Sequence, residues 1–162
     1  LRSRILTATQ GEGIMHHSYL RHDPAHGETQ HRLQGVLIAT EGGTVTTYAC
    51  EQCAERGVLF VVPNDQVYAG QIVGEHNRDN DLPIHITRTK QLTNFRVASK
   101  EATVVLKGAR KLSLEAALEY IEDDELVEIT PSAVRLRKKI LDEGLRKRAE
   151  RQARDKMAAA SE

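Results

Sequence analysis

Between residues 36 and 86 the sequence is a succession of short apolar runs that glycine and proline residues interrupt. Such runs are too short for buried helices, and their Val and Ile content favours β-strands. Gly42 and Gly43 supply the positive φ that a tight turn needs, so we predict a hairpin that pairs 36–39 with 45–48. The other strands predicted by these runs are 58–62, 67–68, 71–73, 84–86 and, further along, 102–106.

Helix signals occur at three places. Residues 49–56 are predicted to form a short helical turn that Gly57 ends, and Ser113 is a good N-cap for a helix over 114–121. Residues 138–160 have a helical composition with a thin apolar stripe. Helices combined with short strands predict an α+β fold with a small barrel-like or mixed sheet.

The segment after the helix predicted at 114–121 has two interpretations. Residues 126–130 and 134–137 both alternate apolar and charged side chains, which is typical of half-exposed strands. A turn at Pro131 would make them a second hairpin. A helix with Thr130 as its cap and Pro131 in its first position is the alternative.

The N-terminal part is predicted to be a separate unit. Residues 13–20 alternate as a strand does, and a polar connector containing Pro24 and Gly27 follows. We therefore divide the chain into 1–27, 28–140 and a helical tail, 141–162. The chain has neither an apolar run long enough to span a membrane nor the apolar core of a signal peptide near Leu1. Without an initiator methionine, it is expected to be part of a longer protein.

The net charge of zero hides separate charge blocks. Residues 88–111 carry seven basic residues and one acid, 112–128 carry seven acids and no base, and 132–156 carry ten bases and four acids. What such blocks bind depends on the surface that each occupies, and the blocks can also neutralise one another within the fold. The first basic block has few helix or strand signals, so its charges are predicted to lie on a solvated loop.

Within that loop, residues 90–96 combine cations, small hydrogen-bonding side chains and Phe95. Lysine and arginine neutralise phosphates, Asn and Thr contact sugars and base edges, and an aromatic ring stacks on a base. The pattern favours nucleic-acid binding, with a merely solvated loop anchored by Phe95 as the alternative.

Other candidate sites are weaker. Cys50 and Cys53 form a C-x-x-C pair that lacks the second pair of a usual zinc site, although five histidines between residues 16 and 31 make a Cys₂His₂ set arithmetically possible. The pair is interpreted as two ordinary helix thiols, with metal or redox roles as alternatives. The acidic run 122–125 is interpreted as a solvated turn, with hard-cation binding as the alternative. No phosphate-binding P-loop sequence is present.

Several motifs, in order, resemble the C-terminal part of the TypA/BipA family of translational GTPases. They are residues 71–82 (QIVGEHNRDNDL), 90–96 (KQLTNFR), 112–119 (LSLEAALE), 124–131 (DELVEITP) and 134–139 (VRLRKK). Residues 1–3 and 11–15 resemble the end of the domain that this family shares with elongation factor G, so 1–27 is expected to be the remnant of a ferredoxin-like domain.

The resemblance implies a ribosome-associated module that acts in translation, large-subunit assembly and stress adaptation in the cytoplasm. Its partner would be large-subunit rRNA near the tRNA acceptor site, and tRNA is a further expected partner. The GTPase centre, with its GTP and Mg²⁺, would lie in an N-terminal part outside this sequence. The chain itself is therefore expected to be non-enzymatic, with no cofactor, no metal and no membrane partner.

In this hypothesis the loop 76–100 faces RNA. Arg88, Lys90, Arg96 and Lys100 would contact phosphates, and Thr93 and Asn94 would add polar contacts. A second group of candidate contacts comprises Lys107, Arg110, Lys111, Arg135, Arg137, Lys138 and Lys139. A protein-interaction module is the main alternative, because Leu141 and Leu145 on the predicted C-terminal helix need a partner to cover them.

Overall fold

The computed structural model describes residues 5–6, 8–24, 32–90 and 108–160, with side chains to residue 156. Its strands are β1 Val36–Ala39, β2 Gly43–Thr44, β3 Gly57–Leu59, β4 Gln66–Val67, β5 Gln71–His76, β6 Leu82–Ile84, β7 Glu125–Ile129 and β8 Val134–Lys138. Its helices are α1 Thr47–Cys53, α2 Leu114–Tyr120 and α3 Glu143–Ala160. The predicted α+β class is confirmed. The strand predicted at 102–106 lies outside the described residues.

The sheet is organised around β5. One edge of β5 pairs antiparallel with β1, and its other edge is shared by β3 and β8, both antiparallel. β6 adds to β1 in parallel, and β7 adds to β8. The result is an open mixed sheet with a separate β2–β4 ribbon. The prediction of a mixed sheet is confirmed, whereas the described strands do not close into a barrel.

Both faces of this sheet are covered. On one face, Leu37 and Val73 pack with Cys50 of α1 and with Val67 of β4. On the other face, Val36, Ile38 and Ile72 pack with Ala117 and Tyr120 of α2. All of β1 is buried for this reason, which explains its uninterrupted apolar sequence. Each face contributes its own hydrophobic core.

The predicted hairpin between 36–39 and 45–48 is wrong. β1 pairs with β5 and β6, and the glycine pair leads into the short strand β2. Thr46 has extended backbone and its hydroxyl accepts a hydrogen bond from the Ala49 amide at 3.1 Å, so α1 begins within the expected second strand. Gly57 does not cap that helix, because it is the first residue of β3. A Cβ atom at this position would collide with the Glu75 carbonyl oxygen.

The predicted strand at 13–20 is also wrong. Residues 12–24 have no regular secondary structure, and Ile14 and Leu20 are 82% and 86% exposed. A strand needs a neighbouring edge for its backbone hydrogen bonds, and the described part of the chain pairs none with these residues. Ile5, Leu6 and Ala8 are helical. The assignment of 1–27 to a ferredoxin-like remnant stays a prediction.

The second hairpin is confirmed, and the alternative helix at Pro131 is wrong. β7 and β8 pair in register from Glu125–Lys138 to Ile129–Val134. Ser113 caps α2 as predicted, with its hydroxyl 3.2 Å from the Ala116 amide, but α2 buries Ala117 and Tyr120 whereas Leu114 and Leu118 are exposed. The C-terminal helix begins at Glu143 because residues up to Lys138 continue the sheet. No helix among the described residues is long and apolar enough to cross a membrane.

Candidate nucleic-acid interface

Arg88 lies where the chain leaves the sheet after β6. Its backbone amide donates to the His85 carbonyl at 3.3 Å, and its own carbonyl accepts from the hydroxyl of Thr46, the N-cap of α1. The start of the basic segment is therefore fixed to the beginning of α1, and the Arg88 side chain is exposed. Lys90 is exposed as well.

Arg110 and Lys111 lie at the other end of the same segment. The Arg110 amide donates to the Leu59 carbonyl at 2.8 Å, and its Nη1 lies 3.2 Å from the Glu75 carboxylate. Its guanidinium carbon is also 5.9 Å from the centre of the Tyr120 ring. Lys111 is exposed and forms no ion pair with the described residues. Arg110 is therefore held by the fold, whereas Lys111 is available to a partner.

A cavity of about 460 Å³ brings three of the predicted contacts together. Arg110 and Lys111 line one side of the cavity, and Arg135 of β8 also lines it. The apolar side chains of Phe60 and Leu136 form part of its wall. Among the described residues of its lining, Asp65 is the one acid. The cavity is suited to an anionic group because its cations outnumber its carboxylate.

The cations of β8 and the residue after it differ in exposure. Arg135 and Arg137 are half-buried; Arg135 lies 3.9 Å from the Glu128 carboxylate, and Arg137 donates to the Lys138 carbonyl at 3.4 Å. Glu128 also accepts a hydrogen bond from the Tyr68 hydroxyl. Lys139 is exposed and forms no ion pair with the described residues, so it resembles Lys111 in its availability.

Lys138 is a different case, because its ammonium lies inside the protein. Its side chain is 3% exposed, and Nζ lies 2.6 Å from Asp81, 2.8 Å from Asp124 and 2.9 Å from Glu125. These three carboxylates satisfy the three donors of a lysine ammonium. The structure therefore assigns Lys138 to the interior, and we remove it from the proposed RNA contacts.

Glu125 connects Lys138 to Arg32. The Arg32 guanidinium donates to both Glu125 carboxylate oxygens, at 2.7 and 2.6 Å, and lies 5.0 Å from the centre of the Tyr120 ring. Burial alone would raise the pKa of the Glu125 carboxyl, but the hydrogen bond from Arg32 and the charge of Lys138 hold that pKa below its usual value. We call Arg32, Asp81, Asp124, Glu125 and Lys138 the buried ion cluster, after the interior positions of Arg32, Glu125 and Lys138; the side chains of Asp81 and Asp124 are partly exposed.

The buried ion cluster also bears on the cation alternative. Carboxylate oxygens of Glu122, Asp124 and Glu125 lie within 4.8 Å of one another, a spacing that could suit a metal ion. Arg32 and Lys138 already lie against Glu125 at hydrogen-bond distance. The protein's own cations therefore neutralise this acidic group.

Cys50 and Cys53 are buried on α1 with free thiols. Burial raises the pKa of the Cys50 thiol to about 11, and burial also raises the pKa of Cys53. A redox or metal-binding cysteine needs a readily formed thiolate, which is the opposite tendency. Their packing in the first core supports the interpretation as ordinary helix thiols.

Sequence reasoning missed Arg32, whose partner Glu125 lies 93 positions away. The only signal was a lone arginine before the first strand, and the sequence around such a residue does not indicate which acid it pairs with. The predicted contacts outside the described residues are Thr93, Asn94, Arg96, Lys100 and Lys107.

The TypA/BipA C-terminal domain family matches residues 34–143. The chain is 46% identical over 148 residues to the large ribosomal subunit assembly factor BipA of Bacillus subtilis, covering 91% of this chain and 24% of that protein. The protein of the same name from Synechocystis is 47% identical over 137 residues, with coverages of 85% and 23%. The one from Haemophilus influenzae is 44% identical over 151 residues, with coverages of 93% and 24%.

The chain thus spans about a quarter of the length of these relatives. The matched family domain contains the entire sheet, α1, α2 and the first residue of α3. The motifs that suggested the resemblance at 71–82, 112–119 and 124–131 all lie within it. On this evidence the chain belongs to the TypA/BipA family, and its folded core is that family's C-terminal domain.

Proposed function

We propose that this chain is the ribosome-contacting module of a TypA/BipA translational GTPase and that it binds large-subunit rRNA through the basic segment 88–111. The relatives are named large ribosomal subunit assembly factors, and this name supports the large subunit as the proposed partner. The proposed role of the whole protein is in translation and subunit assembly, including under stress, in the cytoplasm.

The observation that carries the proposal is the contrast in availability among the basic side chains. Arg88 and Lys111, at the two described ends of the segment, are exposed, as is Lys139. Lys138 and Arg32 are both held by the buried carboxylate of Glu125 instead. Exposed cations that the fold does not neutralise are those that phosphates can reach.

GTP hydrolysis belongs to the parent protein in this proposal. No residue of this chain is assigned a role in binding GTP or Mg²⁺, and none is assigned to catalysis. Contact with rRNA near the tRNA acceptor site, or with tRNA itself, is the finer part of the proposal.

Co-sedimentation with separated ribosomal subunits tests the proposal. The loop variant Arg88→Gln, Lys90→Gln, Arg96→Gln removes three positive charges from the segment. The control Arg21→Gln, Arg56→Gln, Lys156→Gln removes the same charge from exposed basic residues outside the loop 76–100. We expect the unaltered chain to pellet with large subunits in a salt-sensitive manner, and the loop variant's salt slope to be smaller by roughly three.

The control variant should bind like the unaltered chain. Equal losses in the two variants would show that bulk charge, and not this segment, determines binding. Unchanged binding in the loop variant would also contradict the assignment of the RNA contact to 88–111.

A further inference from the structure

The C-terminal helix α3 projects a basic surface that the rest of the fold does not use. From Glu143 to Lys156 every side chain is exposed or half-buried except Arg146. Arg146 is 8% exposed and its Nη1 donates to the Ile140 and Leu141 carbonyls at 2.9 and 2.7 Å. This contact and the cap from Asp142, whose Oδ1 accepts from the Leu145 amide at 2.8 Å, fix where the helix starts and how it leaves the domain.

Arg146 also identifies the inner face of α3. Together with Ala149 and Glu150 it lines a groove against Lys139 and Ile140. At about 100° per residue, Arg148 and Arg151 lie roughly 160° and 140° around the helix axis from Arg146, and Arg154 lies roughly 80° from it, on the flank of the helix. We call these three residues the arginine face.

The described residues do not neutralise the arginine face. None of its three guanidiniums forms an ion pair with the described residues, although Glu150 and Asp155 lie at helical spacing from Arg154 and Arg151. The ion pair of α3 among those residues is Lys147–Glu143, at 2.6 Å. Like charges three residues apart repel one another, so the face is poised to accept negative charge.

The chemistry of the arginine face selects among classes of partner. A protein groove or a membrane surface would need a broad apolar stripe, whereas the described outer surface of α3 offers Leu145 and short alanine side chains. Planar guanidiniums bind phosphates through paired hydrogen bonds. Eighteen residues of helix form a rod about 27 Å long, a rigid element suited to lying along a duplex backbone.

We propose that Arg148, Arg151 and Arg154 of α3 form a second RNA-binding surface, which contacts the phosphate backbone of a double-helical RNA segment. The ribosomal source of that RNA rests on the proposed function. The surface itself is independent of the segment 88–111, because a different element carries it.

A synthetic RNA duplex of about 20 base pairs is the probe, with the whole chain as the binding protein. The variant Arg148→Gln, Arg151→Gln, Arg154→Gln keeps good helix formers at all three positions. Fluorescence anisotropy between 50 and 200 mM salt should show a salt slope smaller by roughly 2.7, because three phosphate contacts are lost. Over that salt range the unaltered chain should lose about fortyfold more affinity than the variant.

Two further variants make the result specific. Replacing the same three arginines by lysine keeps the charge, and we expect this variant to keep most of the salt slope and lose affinity through the missing paired hydrogen bonds. Leu145→Gln should leave duplex binding unchanged. Circular dichroism checks that each variant retains the helix.

An unchanged salt slope in the triple glutamine variant, with its helix intact, would overturn the inference. Large-subunit binding that survives the arginine substitutions and is lost in Leu145→Gln would also overturn it, by indicating a protein partner. The loop variant is tested separately, so failure of the segment 88–111 in subunit binding would not be mistaken for failure of α3.

Discussion

Lys138 and Lys139 are neighbours in the sequence, yet they belong to regions with opposite uses of charge. Lys138 lies in the buried ion cluster, where three carboxylates surround its ammonium. Lys139, one position on, is exposed and without an ion pair among the described residues, like the arginine face of α3. The position of the acids in the fold, and not the density of bases in the sequence, therefore decides which cations stabilise the chain and which can bind a partner.

The largest effect is expected at the centre of the buried ion cluster. Glu125→Gln leaves Arg32 and Lys138 without their shared carboxylate, which costs about 3–5 kcal/mol for a buried pair. Urea unfolding measures the loss. Asp123→Asn, at an exposed neighbour, is the control, and we expect a change within about 0.5 kcal/mol. Equal effects of the two substitutions would show that burial does not separate these acids.

Lys138 and Lys139 provide a matched pair. Lys138→Met should lower the free energy of unfolding by about 3 kcal/mol because Asp81, Asp124 and Glu125 lose their common partner. Lys139→Met should change it by less than about 0.5 kcal/mol and should instead reduce the salt slope of RNA binding by about one. A large loss of stability in Lys139→Met, with a reduced salt slope in Lys138→Met, would contradict this division between the two lysines.

The pH dependence of stability offers a test with a defined sign. The pKa of Glu125 is lowered in the folded chain. Its contribution to the free energy of unfolding is therefore complete above its unfolded pKa of about 4.3 and is lost as the pH falls through the lower folded pKa. The difference in unfolding free energy between the chain and Glu125→Gln should therefore be constant from neutral pH to about 5 and shrink in stronger acid.

Comparing the unaltered chain with Glu125→Gln separates the pH dependence that Glu125 contributes from the pH dependence that Glu122 contributes. Burial raises the pKa of Glu122, so that residue contributes a pH dependence of the opposite sign. Glu122 is present in both proteins, so its contribution largely cancels in the difference between their unfolding free energies. A difference that grows toward acid pH would mean that Arg32 and Lys138 do not hold the Glu125 carboxylate in its charged form.

The smallest effect is expected at the arginine face, and its sign is reversed. Replacing Arg148, Arg151 and Arg154 by glutamine removes repulsion between like charges, so the free energy of unfolding should stay constant or rise by a few tenths of a kcal/mol. Thermal unfolding of the chain and the variant measures it. A loss above about 1 kcal/mol would place these arginines among the stabilising cations.

Local signals predicted the parts of the fold that local chemistry determines. Ser113 capped α2 as expected, and the alternation around Pro131 correctly indicated the β7–β8 hairpin. The hairpin predicted after β1 failed because a run such as Val36–Ala39 does not say which strand it will pair with. Its partners, β5 and β6, lie more than thirty residues further on.

The candidate site was predictable only as a surplus of charge. The sequence identified the basic blocks, but neither their composition nor the order of the motifs divides them into structural and exposed members. Arg32 and Lys138 required the three-dimensional positions of Glu125 and Asp81, which come from different strands and loops. Availability depends on such long-range contacts, so pattern alone could not supply it.

Acetylation of lysine amines, read by mass spectrometry with and without saturating large ribosomal subunits, distinguishes the exposed lysines from the buried one. We expect Lys111 and Lys139 to react in the unbound chain and to be protected by the subunit, while Lys138 reacts in neither sample. Equal modification of Lys111 and Lys139 with and without bound subunits, or ready acetylation of Lys138 in the folded chain, would contradict this expectation.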